Sequence, residues 1–242
     1  LGFNRYLRIF SGYKIKTLSR DKNEKDFFRF MDLLSGSKGV IIDVGANLGV
    51  MTVHLARRFP NSEIIAVEPV AVNAGVLQYN IQKYRLKNVT VERTALGNEN
   101  GVIRMVMPVQ GNVKQHGLCH VEEVNVLNSQ HQIIQDEVTL QRLDDLEILR
   151  NKRIIGIKID AENYEFQVLS GAREVLFRDK PLVYCELWMN QNRVHSFDFM
   201  KGLGYNVYCV ANNQLMTCDS SIETTQNFIF VHPDNKPVDP LF

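Results

Sequence analysis

Cysteine is scarce in this chain, with four residues in 242 (Cys119, Cys185, Cys209 and Cys218) and no C-x-x-C among them. That spacing excludes a disulfide-stapled scaffold and a zinc knuckle. Cys185 and Cys209 sit in apolar runs, where a free thiol behaves as a small hydrophobe. The pattern suits a reducing compartment, and the expected location is cytoplasmic. An excess of either charge is also missing: 28 Lys and Arg face 27 Asp and Glu, for a net charge of +1. No global field therefore recruits nucleic acid or an anionic membrane, and neither is expected as a partner. There is no basic-then-apolar signal segment and no apolar run of transmembrane length; the richest stretch, 40–56, is interrupted by Asp43 and Asn47. The chain begins at Leu1, so targeting stays open. Internal repeats and low-complexity blocks are absent as well.

What is present is an alternation of short apolar runs with helical patterns. The segment from Leu1 to Lys25 is locally basic, through Arg5, Arg8, Lys14, Lys16, Arg20, Lys22 and Lys25. It reads as a solvated helix or arm, with contact to an anionic substrate or surface as the alternative. Residues 26–34 have helical spacing and end at the breaker S-G-S-K-G. Strands are expected at 40–44, 63–67, 89–96, 154–159, 182–187, 205–210 and 227–231, and 102–106 and 137–140 are candidate strands flanking the polar stretch. Helices are expected at 48–59, 71–84, 164–177 and 194–203. Such alternation predicts an α/β fold, a mostly parallel sheet with helices on both faces. The last two strands have no helix between them and predict an antiparallel hairpin at the sheet edge. Residues 1–37 read as an N-terminal helical and basic segment, and 38–242 as one domain. Within that domain an insertion at about 101–140, with its polar stretch 108–135, reads as a lid.

In open α/β sheets, ligands bind beyond the carboxyl ends of the strands. Here those ends carry Asp43 and Gly45, then Glu68, then Thr94 and Ala95, then Asp160 and Glu162, then Glu186. Each acid alone is as easily a helix cap. Five polar ends at one rim predict a ligand with cationic or hydroxyl-bearing parts. The first loop, D-V-G-A-N-L-G at 43–49, lacks the G-x-G-x-x-G that admits a pyrophosphate. An aspartate in that turn would repel a phosphate and suit an ammonium group. Asn47 offers both a donor and an acceptor for an amino-acid carboxylate. Glu68 is placed to accept two ribose hydroxyls. An amino acid, a ribose and an adenine without phosphate make S-adenosyl-L-methionine.

Together, D-V-G-A-N-L-G, Glu68–Pro69, A-L-G at 95–97, L-D-D-L at 143–146 and I-K-I-D-A-E-N-Y-E-F-Q-V-L-S-G-A at 157–172 resemble the FkbM family of methyltransferases. The resemblance implies a seven-stranded Rossmann-like class I fold. It also implies O-methylation of a hydroxyl on a sugar, glycan or secondary metabolite. Carried over by position, Asp43, Gly45, Asn47, Gly49 and Glu68 would bind the cofactor, and Asp160 and Glu162 would lie beside its methyl group. Ala46, Pro69, Thr94 and Ala95, in the same loop and at the same rim, complete the candidate binding set. The family has glycine where this chain has Asn163, which is expected to cap the following helix.

Methyl transfer from a sulfonium is an in-line displacement, so alignment supplies much of the catalysis. A general base helps an alcohol attack, and Asp160, Glu162 and Glu186 are the candidate catalytic carboxylates. His116 or His120 of the polar stretch is the alternative base. His116, Cys119 and His120 lack a second knuckle, so no metal is expected. His54 lies among Val53, Leu55 and Ala56 and reads as packing. Two other readings of the whole chain remain: a cofactor-binding module without turnover, and an NAD-dependent oxidoreductase. The oligomeric state is not legible.

Overall fold

In the computed structural model, the structure describes residues 2–110, 113–114, 120–121, 132–211 and 214–235; of these, the side chains of 106–136 and 235 are left aside. Four apolar runs make the centre of one sheet: β1 (Val40–Val44), β2 (Glu63–Val67), β9 (Ile154–Ile159) and β10 (Leu182–Glu186). They are parallel to their neighbours in the order β10-β9-β1-β2. β3 (Val89–Glu92) closes one edge. On the other side β13 (Asn227–Val231) runs antiparallel to β10, β11 (Asn206–Ala211) antiparallel to β13, and β12 (Gln214–Thr217) antiparallel to β11.

Both faces of the central strands are buried, which is why they read as unbroken apolar runs rather than alternating ones. Successive side chains still point to opposite faces. Ile42, Val44, Ile157, Ile159 and Val183 pack under α5 (Glu165–Ser170), α6 (Arg173–Asp179) and α7 (Gln191–Gly202). Ile41, Ile64, Ile155 and Tyr184 pack under α2 (Lys25–Leu33) and α3 (Val50–Arg58), mainly through Phe27, Phe30, Met31 and Leu55. α1 (Phe3–Thr17) lies outside α3 and α4 (Ala71–Lys83), where Asn80 Nδ2 donates to Ser11 Oγ and to Leu48 O, each at 2.9 Å.

The α/β architecture expected from the alternation is present, with differences in detail. Among the described residues the main sheet has eight strands, because β12 adds an outermost strand that the polar residues around it conceal. The terminal pair is antiparallel, but β13 inserts between β10 and β11 rather than lying at the edge. The run 89–96 divides into β3 and β4 (Ala95–Leu96), and β4 joins a second sheet with β5 (Gly101–Gln110) and β8 (Gln132–Gln141). β6 (Val113–Lys114) and β7 (His120–Val121) pair antiparallel to β5. The polar stretch expected as a lid lies mostly outside the described residues, including His116, Cys119 and the His120 side chain.

The expected helix 164–177 is broken at Gly171 into α5 and α6. The glycine at the break has a steric reason. A Cβ on Gly171 would lie 1.8 Å from the carbonyl oxygen of Gly97, at the end of β4. The helix pair docks on the second sheet by backbone approach, and only glycine permits it. Gly171→Ala is therefore expected to lose about 3 kcal/mol, the upper range for overpacking. A urea unfolding midpoint equal to that of the parent chain would contradict this packing.

Candidate active site

Beyond the carboxyl ends of β1, β2 and β9 lies a partly open cavity. Its polar lining is Asn47, Glu68, Asn73, Asp160, Glu162 and Tyr164; Val44, Val67, Leu96, Met105 and Val168 supply apolar wall. An apolar wall with a few convergent polar groups is the lining of a small-molecule site.

The floor is set by one buried cation. Lys158 and Asp43 are register partners on β9 and β1, and both are buried, at 2% and 0% exposure. The Lys158 Nζ lies 3.2 Å from Asp43 Oδ1 and 3.6 Å from Asp160 Oδ2. It also donates to the carbonyls of Val44 at 3.2 Å and Gly45 at 3.0 Å. Thr52 Oγ1 donates to the other Asp43 oxygen at 2.6 Å. Burial alone would depress the ammonium, yet Asp43 and Asp160 hold it above its ordinary value. The turn after β1 is equally tight. Gly45 has φ +69, and a Cβ there would meet Asp160 O at 1.8 Å.

Glu68 forms the opposite wall and is 4% exposed. Its Oε2 accepts from Asn47 N at 2.8 Å, and its Oε1 from Val70 N at 2.9 Å and Asn73 Nδ2 at 3.4 Å. Burial outweighs these bonds and pushes its carboxyl up to about 7. Beside it, the side-chain oxygens of Asn47 and Asn73 are buried without a partner. Unpaired buried acceptors in a cavity wall call for a ligand donor. Hydroxyl and amine groups would satisfy them, so the lining fits S-adenosyl-L-methionine.

The third side is an acidic turn. Glu162 and Asn163 both have left-handed backbone, with φ 49 and φ 74. Glu165 Oε1 accepts from Ala161 N and Asn163 N, each at 3.0 Å, and closes the turn. Burial, then the charge of Asp160, pushes the Glu162 carboxyl up to about 8. Burial and Asp160 likewise bring Glu186 to about 7. Asn163 does not cap α5, whose N-cap is Tyr164. Asn163, with φ 74, fills a left-handed position one residue before the cap, which Asn tolerates better than other side-chain-bearing residues. Its Oδ1 instead accepts from Asn190 Nδ2 at 2.6 Å, and its carbonyl from Asn192 Nδ2 at 2.7 Å.

Of the residues expected at the site, Gly45, Asn47, Glu68, Pro69, Ala95, Asp160 and Glu162 line the cavity together. Asp43 is close by but faces inward, and the ammonium it meets is that of Lys158. Ala46 is buried against Ala66 and Leu77, and Gly49 begins α3 with φ +79. Thr94 ties the strand end to the second sheet, donating to Thr139 O at 2.9 Å. Glu186 ends β10 half-buried, outside the cavity lining. His54 packs edge-on to Phe28 at 5.5 Å, as expected of a packing residue. The residues that sequence reasoning missed are Lys158, Thr52, Asn73 and Glu165. Lys158 carried a signal: a lysine inside the buried strand I-G-I-K-I needs an acid partner.

The strand order, the crevice at the β1 turn and the acid ending β2 define a Rossmann-like fold of the class I methyltransferase type. The Methyltransferase FkbM domain matches residues 43–207, and the chain belongs to that family. Membership implies S-adenosyl-L-methionine as the cofactor. Methyltransferase 1 of Beauveria bassiana is 27% identical over 142 residues, which cover 54% of this chain and 57% of the relative. The 31-O-demethyl-FK506 methyltransferase FkbM of Streptomyces tacrolimicus is 26% identical over 156 residues, covering 56% and 60%. The chain thus spans little more than half the length of these curated relatives. The crystal structure of methyltransferase FkbM from Methylobacillus flagellatus KT shares the fold, with TM-score 0.50, 15% identity and coverage of 81% of this chain and 44% of that one.

Removing one partner of a buried ion pair strands the other, at a cost of about 3–5 kcal/mol. Lys158→Met is expected to lose that much stability by leaving Asp43 uncompensated. The double variant Asp43→Asn/Lys158→Met should recover part of the loss. Additive losses in denaturant unfolding would show that the two groups do not depend on each other.

Proposed function

We propose that the chain transfers the methyl group of S-adenosyl-L-methionine to a hydroxyl on a sugar, glycan or secondary metabolite. The observation that carries this reading is the opposition of Glu68 to Asp160 and Glu162 across one cavity. The bound cofactor supplies an electrophilic methyl on a sulfonium. Glu68 is the acceptor for the ribose hydroxyls, with the free oxygens of Asn47 and Asn73 beside it taking further donors. Asp160 sets a fixed negative charge at the other side, anchored by Lys158. Glu162, with its carboxyl raised to about 8, has a proton affinity near the working range and is the base for the attacking hydroxyl. The oxygen acceptor is supported by the name of the Streptomyces relative, which refers to a 31-O-demethyl substrate.

The test is methyl incorporation into a screened set of glycans, lipid-linked sugars and hydroxylated metabolites. With a working acceptor, Glu162→Gln should cut turnover by about 10²-fold or more. Asp160→Asn should cut it by at least about tenfold, ~1.4 kcal/mol of barrier. The rate of the parent chain should rise with pH and level off above about 8. Because the Asp160 charge helps hold the Glu162 carboxyl up, Asp160→Asn should also move that inflection to lower pH. A full rate in Glu162→Gln would remove the carboxylate base from the account.

A further inference from the structure

The near-zero net charge conceals a segregated one. The first twenty residues contain five basic residues and no acid. Most of them form α1, which is fastened to the body along a single face. Leu7, Ser11, Gly12 and Ile15 are buried there, and Ile15 O lies 3.0 Å from His54 Nε2. The opposite face carries Tyr6, Ile9, Phe10 and Tyr13, spaced three and four residues apart and exposed at 55%, 57%, 40% and 65%. Side chains at that spacing form one continuous ridge. A contiguous apolar ridge of this kind on a protein surface marks a contact site.

Cations border the ridge. Arg5 and Arg8 share a shallow groove between α1 and α4 with Asn4, Tyr79 and Lys83. Arg8 stacks at 4.5 Å and Lys83 at 5.6 Å over the same Tyr79 ring. No acid pairs with Arg5, Arg8 or Lys83 among the described residues. Lys16 is exposed about two turns beyond Arg8 along the helix.

We propose that α1 docks the protein on the surface of an anionic phospholipid bilayer. The aromatic ridge enters the headgroup layer, and Arg5, Arg8 and Lys83 hold lipid phosphates. Tyr and Phe at the interface with cations alongside are the chemistry of an in-plane amphipathic helix. Three features choose this occupant. A second copy of the chain would bring two sets of like charges face to face. A nucleic-acid strand needs free ring faces in a basic channel, whereas Tyr6 and Phe10 stack on each other, 6.1 Å apart at 17°, and Ile9 has no ring. The ridge is convex, which suits a bilayer plane. Its amino-terminal end also reaches the site: Phe3 and Leu7 pack with Val72 and Leu48, each adjacent in sequence to a cavity-lining asparagine. The docking does not depend on methyl transfer. It takes up the alternative that the locally basic segment 1–25 leaves open, contact with an anionic surface, in place of the expectation that no membrane is involved.

Flotation of the full chain with vesicles tests it. Binding is expected to vesicles containing phosphatidylserine and not to phosphatidylcholine alone, and to fall with added salt. Arg5→Glu/Lys16→Glu should weaken it by on the order of fivefold or more for each charge reversed. Ile9→Ser/Phe10→Ser should abolish it while leaving the melting temperature unchanged, since both side chains are exposed. Absence of flotation by the folded parent chain would overturn the proposal. So would equal binding to both vesicle types, a dimer that Ile9→Ser/Phe10→Ser dissolves, or capture by an oligonucleotide in place of lipid.

Discussion

The Lys158 ammonium, buried between Asp43 and Asp160, fixes where the site is and what charge it carries. A single buried lysine would shed its proton. Here one carboxylate of β1 and one at the end of β9 flank it, and two carbonyls of the β1 turn accept its remaining protons. The cluster stitches the two strands at the point where the chain order reverses across the sheet. It also holds the Gly45 turn against the Asp160 backbone, so the loop opens into a cavity instead of collapsing onto the strand end. A buried pair of this kind is poor evidence for net stability, because desolvation offsets much of the attraction. Its value lies in position.

The electrostatics of the rest of the site follow from how that one cation is placed. Asp43 and Asp160 share it directly, whereas Glu68, Glu162, Glu165 and Glu186 lie farther off. Burial raises all four of those carboxyls, to about 7 for Glu68, Glu165 and Glu186 and about 8 for Glu162. In Glu162 and Glu186 the charge of Asp160 adds to burial. Near-neutral carboxyls switch between donor and acceptor at small cost, which suits groups that must meet hydroxyls. The strained pair Glu162–Asn163 is held by Glu165 on one side and by Asn190 and Asn192 on the other. Strain of this sort persists where its surroundings over-determine it.

Much of this was legible in the sequence, and the gaps have physical reasons. Glu68, Asp160 and Glu162 were found from strand ends, because the sheet rule converts an apolar run followed by an acid into a position at the rim. β9 was read with its observed limits, 154–159, since both its faces are buried. The need for glycine at the Gly171 break was not legible: the Gly97 carbonyl that leaves no room for a side chain there lies 74 residues earlier in the chain. Parts of β5 and β8 were legible as candidate strands at 102–106 and 137–140, but their joining with β4 into a second sheet was not, the β4–β8 pairing being remote in sequence. Asp43 reads as facing a ligand ammonium, because nothing local says that its partner lies eight strands later in the chain, on β9. Asn163 was read as a cap, although an asparagine where relatives carry glycine is also the mark of positive φ. α1 was read correctly as a helix or arm. Its local basic excess was legible, but its aromatic ridge was not, because the sequence does not say which face of the helix packs on the body and which stays exposed.

The central claim is that this crevice takes S-adenosyl-L-methionine with Glu68 as an ionised acceptor. Titration calorimetry with the demethylated cofactor, S-adenosylhomocysteine, between pH 6 and 8 tests it most directly. Glu68 is protonated below about 7 in the free protein, so ligand hydroxyls that favour the carboxylate must expel that proton. Affinity should therefore rise as pH increases through about 7 and then level off, with proton release on the acid side. Glu68→Gln should bind more weakly, by about 1.5–3 kcal/mol, and lose that pH dependence. Affinity that is flat across the range, or unchanged in Glu68→Gln, would contradict the account.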